Sequence, residues 1–401
     1  MVQSAWHRGK DYTMTEFFKQ PPEWMDEELV MFDDSVRRLA EDQFTQQKLE
    51  DWREAGIVPR SVWEDMASAG LLGLSVADQY GGAGGDFRHE AVLIRRLGLA
   101  GAEGFGVPLH NAIVAPYIEK YGTEEQKQRW LPKLCSGEWI GAIAMTEPGA
   151  GSDLQGVRTT ARKEGNGYRL NGQKTFITNG QHANLIVVVA KTDPDAGSRG
   201  ISLMVLEADG AEGFRRGRNL DKVGLEMGDT SELFFDDVLL PADSVIGGEE
   251  GQGMYQLMKE LPKERLIIAI ECLTQIEAAM SVTLDYVKER TAFGKRILDF
   301  QNTQFRLAEC KTEATVARAF INDCIEKYVA GDLDAATASM AKYWLSERAQ
   351  SIVDTCQQFF GGFGYMNEYP IAQMYKDVRV KRIYGGTTEI MKLLIARTLE
   401  D

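Results

Sequence analysis

The sequence is poor in the residues that build disulfide frameworks and metal centres. Cys135, Cys272, Cys310, Cys324 and Cys356 are odd in number and widely scattered, with no C-x-x-C spacing, which disfavours both a disulfide scaffold and structural zinc. His7, His89, His110 and His182 form no pair at metal-ligand spacing, so no metal is assigned. An excess of positive charge is missing as well. Forty-five Lys and Arg against sixty Asp and Glu leave a net charge of −15, a field that repels polyanions and argues against nucleic acid as a partner. An anionic small molecule stays compatible, because a few arginines and helix N-termini can hold phosphate locally. No G-x-G-x-x-G stands between a strand and a helix, so a Rossmann domain is not supported. No uninterrupted apolar run approaches membrane-spanning length; LIVVVA and RLIIAI are core-sized. The first residues, MVQSAWHRGKDYTMTEFFKQPPEW, have no apolar core and carry acids. They read as neither a signal peptide nor a transit sequence. Residues 1–22 are therefore taken as a leader, and a cytoplasmic location is expected.

What is present suits a globular chain. Hydrophobic residues make up 44% of 401, enough for a sizeable core, and at roughly 100–200 residues per domain the length implies two or three domains. From 23 to 139, segments such as RSVWEDMASAGLLGL, AIVAPYIEKYG and EEQKQRWLPKLCSG place apolar residues at three- and four-residue spacing, the helical period. From 140 to 247 the texture is β: GYRLNGQKTFITNG, NLIVVVAKT, GISLMVLEA and TSELFFDDVLLP are short, rich in β-branched or aromatic residues and bounded by turns. From 248 to 401 long helical patterns return and suggest a bundle. Helices, strands and helices in separate blocks predict an α+β protein rather than βαβ alternation.

Several stretches could carry chemistry. In AMTEPGAGSD, Ala144 to Asp153, glycines and a proline bare the backbone among hydroxyls and carboxylates; such a loop can present N–H groups to phosphate, or serve as a turn between the two textures. KTFITNG, Lys174 to Gly180, alternates like a strand and places Phe176 and Thr178 on one face, ending in the Asn-Gly turn signal. FFGGFGY, Phe359 to Tyr365, reads as a helix end. RTAFGKR, Arg290 to Arg296, reads as a basic, solvated helix C-terminus. In IYGGTTEIMK, Gly385 and Gly386 precede Thr387, Thr388 and Glu389, which suit a helix N-terminus; the glycines free the backbone for a tight turn or close approach to a ligand.

Taken together, AMTEPGAGSD, FITNG, ERTAFGKR, QQFFGGFGYMNEYP and RIYGGTTEI resemble the acyl-CoA dehydrogenase family in order and spacing over nearly the whole chain. MKELPKERLIIA and ATASMAKYW look most like its long-chain members. The resemblance implies an N-terminal helical domain, a middle β-barrel-like domain and a C-terminal four-helix bundle. It implies FAD between domains and subunits, and α,β-dehydrogenation of a fatty acyl-CoA to the trans-2-enoyl-CoA in fatty acid β-oxidation. Electrons would pass to an electron-transferring flavoprotein. By motif, Met145, Thr146 and Ser152 are expected along the flavin, with Ser152 also near CoA, and Phe176, Ile177 and Thr178 against its ring. Arg290, Gln301, Gln358, Phe359, Phe360, Gly361 and Gly362 resemble segments that hold a neighbouring subunit's FAD, and Thr387 and Glu389 match flavin contacts. A shared cofactor implies at least a dimer, and the family's habit a dimer of dimers.

The base is the informative departure. In many members the residue after the tyrosine of the last motif is the catalytic glutamate; here it is Gly385. The long-chain and isovaleryl members place their base in the helix corresponding to KELPKERLIIA, which makes Glu264 the expected base. Without the family, Glu264 would read as a surface partner of Lys263 or Arg265. Glu260 competes from the same face if the helix continues through Pro262. Arg265 is expected as a substrate contact or a solvated cation. Gly385 and Gly386 are expected to face the substrate, the Gly385 amide polarising the thioester. YGGAGGD, Tyr80 to Asp86, resembles a loop near the acyl pocket. An oxidase in the same fold, or a catalytically silent flavin-binding assembly partner, are the competing functions.

Overall fold

The computed structural model describes residues 17, 18 and 20–400. Most of the expected leader lies outside the described residues. The helical opening comprises α1 (Glu27–Gln43), α2 (Gln46–Ala55), α3 (Arg60–Ser68), α4 (Phe87–Leu99), α5 (Val107–Leu109), α6 (Ala115–Tyr121) and α7 (Glu124–Cys135). Side-chain caps start several of them. Asp26 accepts from the Leu29 N–H, and Thr123 and Gln126 close a reciprocal box on α7, each satisfying donors that a helix start leaves open. Between α5 and α6 the chain makes a π turn, His110–Val114. Pro116 follows at once; a proline cannot donate to the carbonyl four residues back and its ring crowds it, so the widened turn accommodates it and sets the direction of Tyr117.

The middle unit is a curled sheet of β1 (Gly141–Ala144), β2 (Thr160–Glu164), β3 (Gly167–Thr178), β4 (Leu185–Lys191), β5 (Ile201–Glu207), β6 (Phe214–Asn219) and β7 (Thr230–Pro241). The order is β1-β4-β2-β3-β7-β6, with β5 antiparallel on β4 and β1 parallel to it. Strand β4 reads as an unbroken apolar run because both its faces are covered. Strand β3 pairs with β7 in a register that shifts between Lys174 and Ile177. That irregularity turns Phe176 out of the sheet.

The C-terminal unit packs α8 (Gly253–Glu289), α9 (Gln301–Ala330) and α10 (Ala335–Phe360), with α11 (Pro370–Val378) and α12 (Thr388–Arg397) laid on α10. By length and composition α8 could cross a membrane, although no single apolar run in the sequence is that long; 94% of its most apolar window is buried inside the protein. It is the core helix on which α4, α9 and α10 all pack. The RTAFGKR stretch corrects the expectation of a helix C-terminus: α8 stops at Glu289, and β8 (Thr291–Ala292) and β9 (Lys295–Arg296) form a hairpin. Phe293 and Gly294 both take positive φ, 51° and 78°, the two-residue turn that matches strand twist. All five cysteines are buried and free.

Candidate active site

Glu264 lies about three turns into α8 and is 7% exposed. It is no surface partner of Lys263 or Arg265: its Oε1 accepts a 2.8 Å hydrogen bond from the Tyr117 hydroxyl of α6. Burial pushes its carboxyl above the ordinary value, against the opposing effect of Tyr117 and Lys263. A carboxyl held this way is a stronger base than a solvated one once ionised.

The helix does continue through Pro262, so Glu260 sits one turn before Glu264, but its environment is different. Its oxygens accept from Lys120 at 3.0 and 3.2 Å and from Tyr121 at 2.8 Å, with Lys263 3.4 Å away. Although burial opposes ionisation, Lys263 and Lys120 bring its carboxyl below the ordinary value. Glu260 is thus a stable anion committed to cations. Arg265 corrects the alternative of a solvated cation: it is buried and donates to Ser339 at 3.3 Å, and its Nε lacks a hydrogen-bond partner.

The two glycines opposite α8 are held in backbone that side chains rarely adopt, Gly385 at φ 61° and Gly386 at φ 96°. A Cβ on Gly385 would overlap Ile268 Cδ1. Ile268 is one turn beyond Glu264 on the same face of α8, so the glycine turn packs against the face of α8 that carries Glu264. Lys342 of α10, fully buried, donates to the Gly386 carbonyl, and desolvation brings its ammonium down to about 8. Just before the turn, Tyr384 donates to Glu271 at 2.8 Å. Lys381, also buried, pairs with Glu103 at 3.2 Å and Glu271 at 3.5 Å. Thr387 then caps α12 by accepting from Ile390 N–H, with Glu389 in the first turn and Thr388 buried. The turn is therefore pinned on both sides.

On the middle unit, the AMTEPGAGSD loop is shaped by an ion pair. Glu147 accepts from Lys174 at 2.9 Å and from the backbone N–H groups of Arg158 and Thr159 at 2.6 and 3.0 Å. Lys174 also donates to the Met145 carbonyl, and Thr175 N–H to the Thr146 carbonyl, both at 2.9 Å. This fastens the loop alongside the end of β3. There Phe176 takes φ 61° and is 66% exposed while Ile177 turns into the core. A bulky residue in left-handed backbone with its ring held out of the core is the kind of strained position that clusters at ligand sites. Phe176 and Thr178 with Met145 and Thr146 fit a flat aromatic ring system, so the donor set suits a flavin; Ile177 could contribute through backbone alone. Ser152 is exposed at the loop's end.

The other expected cofactor residues form a separate cluster. The guanidinium of Arg290 sits 5.7 Å from the Phe363 ring centroid, and Phe360 stacks on Tyr286 at 4.1 Å. Gln301 at the start of α9 and Gln358, Gly361 and Gly362 at the end of α10 are exposed, and Phe359 is half-buried. Arg290 follows Glu264 by 26 residues, nearly all in one helix, which at the helical rise is about 39 Å. A side chain at one end cannot serve a reacting group at the other.

Tyr117, Lys120, Tyr121, Lys174 and Lys342 were not singled out from sequence. Lys174 and Lys342 stood inside KTFITNG and ATASMAKYW; nothing local in AIVAPYIEKYG marks Tyr117.

The helix–sheet–helix architecture, a loop and strand end that suit a flavin, and a buried carboxylate on α8 point to a flavin-dependent oxidoreductase. Models of the acyl-CoA dehydrogenase N-terminal, middle and C-terminal domains match residues 26–138, 142–238 and 251–400. The mouse long-chain specific acyl-CoA dehydrogenase, mitochondrial, is 49% identical over 371 residues, 92% of this chain and 86% of that protein. An acyl-CoA dehydrogenase structure from Geobacillus kaustophilus superposes with TM-score 0.92 at 49% identity, covering 95% of this chain and 100% of that one. A glutaryl-CoA dehydrogenase from Mycobacterium smegmatis in complex with FADH2 gives TM-score 0.87 at 28% identity, covering 94% and 95%. The chain belongs to the acyl-CoA dehydrogenase family and is an FAD-dependent enzyme.

Proposed function

We propose that this chain oxidises medium- or long-chain fatty acyl-CoA thioesters to trans-2-enoyl-CoA, with Glu264 as the base. The observation that carries the reading is that Glu264 is buried on α8 one turn before Ile268, whose side chain meets the Gly385 turn. Glu264 takes the α-proton as the Cα–H bond breaks. Negative charge moving onto the thioester oxygen is met by the Gly385 N–H, an oriented donor that needs no reorganisation. Losing a side chain at 385 removes nothing from that amide. A bound FAD would supply the acceptor for the hydride that leaves the β-carbon. Met145, Thr146, Ser152, Phe176 and Thr178, with Thr387 and Glu389, would hold it in the same subunit. The Arg290 cluster, some 39 Å along α8, would hold a neighbour's FAD; the hairpin tip Phe293, 95% exposed, supports a subunit contact there and a dimer of dimers. Electron-transferring flavoprotein as acceptor and a cytoplasmic location complete the reading.

Anaerobic titration with saturated acyl-CoAs of increasing length tests it. Bleaching of bound flavin that is strongest for medium or long chains is expected, and bleaching by none would exclude dehydrogenation. Fast aerobic peroxide production without another acceptor would favour an oxidase.

A further inference from the structure

Two carboxylates one turn apart on α8 meet two tyrosines one turn apart on α6. Tyr121 donates to Glu260 and Tyr117 to Glu264, each at 2.8 Å. The pairs differ in what else arrives. Glu260 also binds Lys120 and Lys263, whereas the hydrogen bond at Glu264 comes from a neutral hydroxyl. Tyr117 is fully buried, and it stands where the π turn before Pro116 has reset the path of α6. Burial and the adjacent carboxylate keep its phenol protonated well beyond the usual range, so the hydroxyl is the donor.

We propose that Tyr117 is a positioning residue for the reaction: its hydroxyl fixes Oε1 of Glu264 and favours the ionised carboxylate, leaving Oε2 as the oxygen directed at the substrate's α-proton. The inference rests on Glu264 being the base. The geometry opposes two effects. Burial disfavours the ionised form of Glu264, and a second anion, Glu260, adds to that. The Tyr117 hydroxyl counters both without adding a full positive charge that would hold the proton acceptor in a tight ion pair. Other charged or titratable groups around this point are Lys263 and Arg265 on α8, Lys120 and Tyr121 on α6, Glu90 on α4 facing Lys263, Tyr328 on α9 near Lys120, and Lys342 on α10 facing Arg265. Of these, Tyr117 is the hydrogen-bond donor to Glu264.

The test uses flavin-loaded enzyme. Tyr117→Phe removes the hydroxyl and keeps the ring. Flavin bleaching by a saturated acyl-CoA, followed anaerobically by rapid mixing across pH, gives kcat/KM and its acidic limb. Loss of a hydrogen bond to a charged group should raise that limb by roughly one to two pH units with KM little changed. Tyr117→Gln, which keeps an N–H donor, should lie between the two. Infrared difference titration of the Glu264 carboxyl, assigned as the band missing in Glu264→Gln, reads the same shift without turnover and serves if the Phe variant loads flavin poorly. A limb and a band that stay at the wild-type pH, or a loss of rate equal at every pH, would overturn the proposal. If Glu264→Gln bleaches normally, the base assignment fails instead, and the infrared titration still reports what Tyr117 does to the carboxyl.

Discussion

Replacing Lys174 by Met should uncouple the AMTEPGAGSD loop from its strand. Lys174 is fully buried and Glu147 nearly so. The substitution keeps most of the side-chain volume, so the loss is electrostatic. Glu147 would keep its two backbone donors but lose its Lys174 ion pair, and the Met145 carbonyl would lose a donor. Breaking a buried pair from one side costs about 3–5 kcal/mol, because a charge is left uncompensated. Two retained N–H bonds place the expected loss near the lower end, about 3 kcal/mol. The acid dependence should move too. Lys174 and the backbone donors hold the Glu147 carboxyl below its ordinary value despite burial. That stability is present above the unfolded carboxylate value and lost as pH falls through the lower folded one. Without Lys174 the loss should begin at higher pH. Urea unfolding at neutral and mildly acidic pH, with FAD content measured in parallel, reads both effects. In a double-mutant cycle Glu147→Gln with Lys174→Met should cost less than the sum of the single changes. A Lys174→Met protein within about 0.5 kcal/mol of wild type, the range of ordinary surface changes, would refute the claim that this pair holds the loop.

Gly385→Ala should cost about 1–2 kcal/mol for left-handed backbone and displace Ile268; flavin should stay bound while its reduction slows by up to about 10²-fold, the loss expected when an oxyanion donor is misplaced, as rapid mixing and urea melts will show. Glu260→Gln should destabilise the protein by about 3 kcal/mol, since buried Lys263 loses its anion, yet leave flavin reduction at the wild-type order. Because the Glu260 carboxyl lies below its ordinary value, its contribution is present above the unfolded pKa and lost as pH falls through the folded one; the variant's stability should show a weaker acid dependence, measurable by thermal melts across pH.

What could be read in the sequence was what local pattern encodes. Segment periodicity separated helices from strands, and the β-branched run in NLIVVVAKT marked a strand whose burial on both faces the structure adds. Thr387 was legible as a cap because capping depends on residues three apart. The site's partners were not legible for the opposite reason. Tyr117 and Glu264 are 147 residues apart and Lys342 and Gly386 44, and no spacing rule joins them. RTAFGKR was misread because basic residues after a long helix imitate a favourable C-terminus; the hairpin depends on Phe293 accepting a positive φ that its residue type does not advertise. Gly385 was legible as an absence, and it took the family pattern to turn that absence into Glu264.

The central claim is that Glu264 removes the α-proton, and Glu264→Gln tests it with nearly unchanged shape. The variant should bind FAD and perturb the flavin spectrum on adding a long-chain acyl-CoA, while anaerobic bleaching slows by about 10²–10⁴-fold, the usual contribution of a positioned general base. Bleaching at the wild-type rate with flavin fully bound would contradict it.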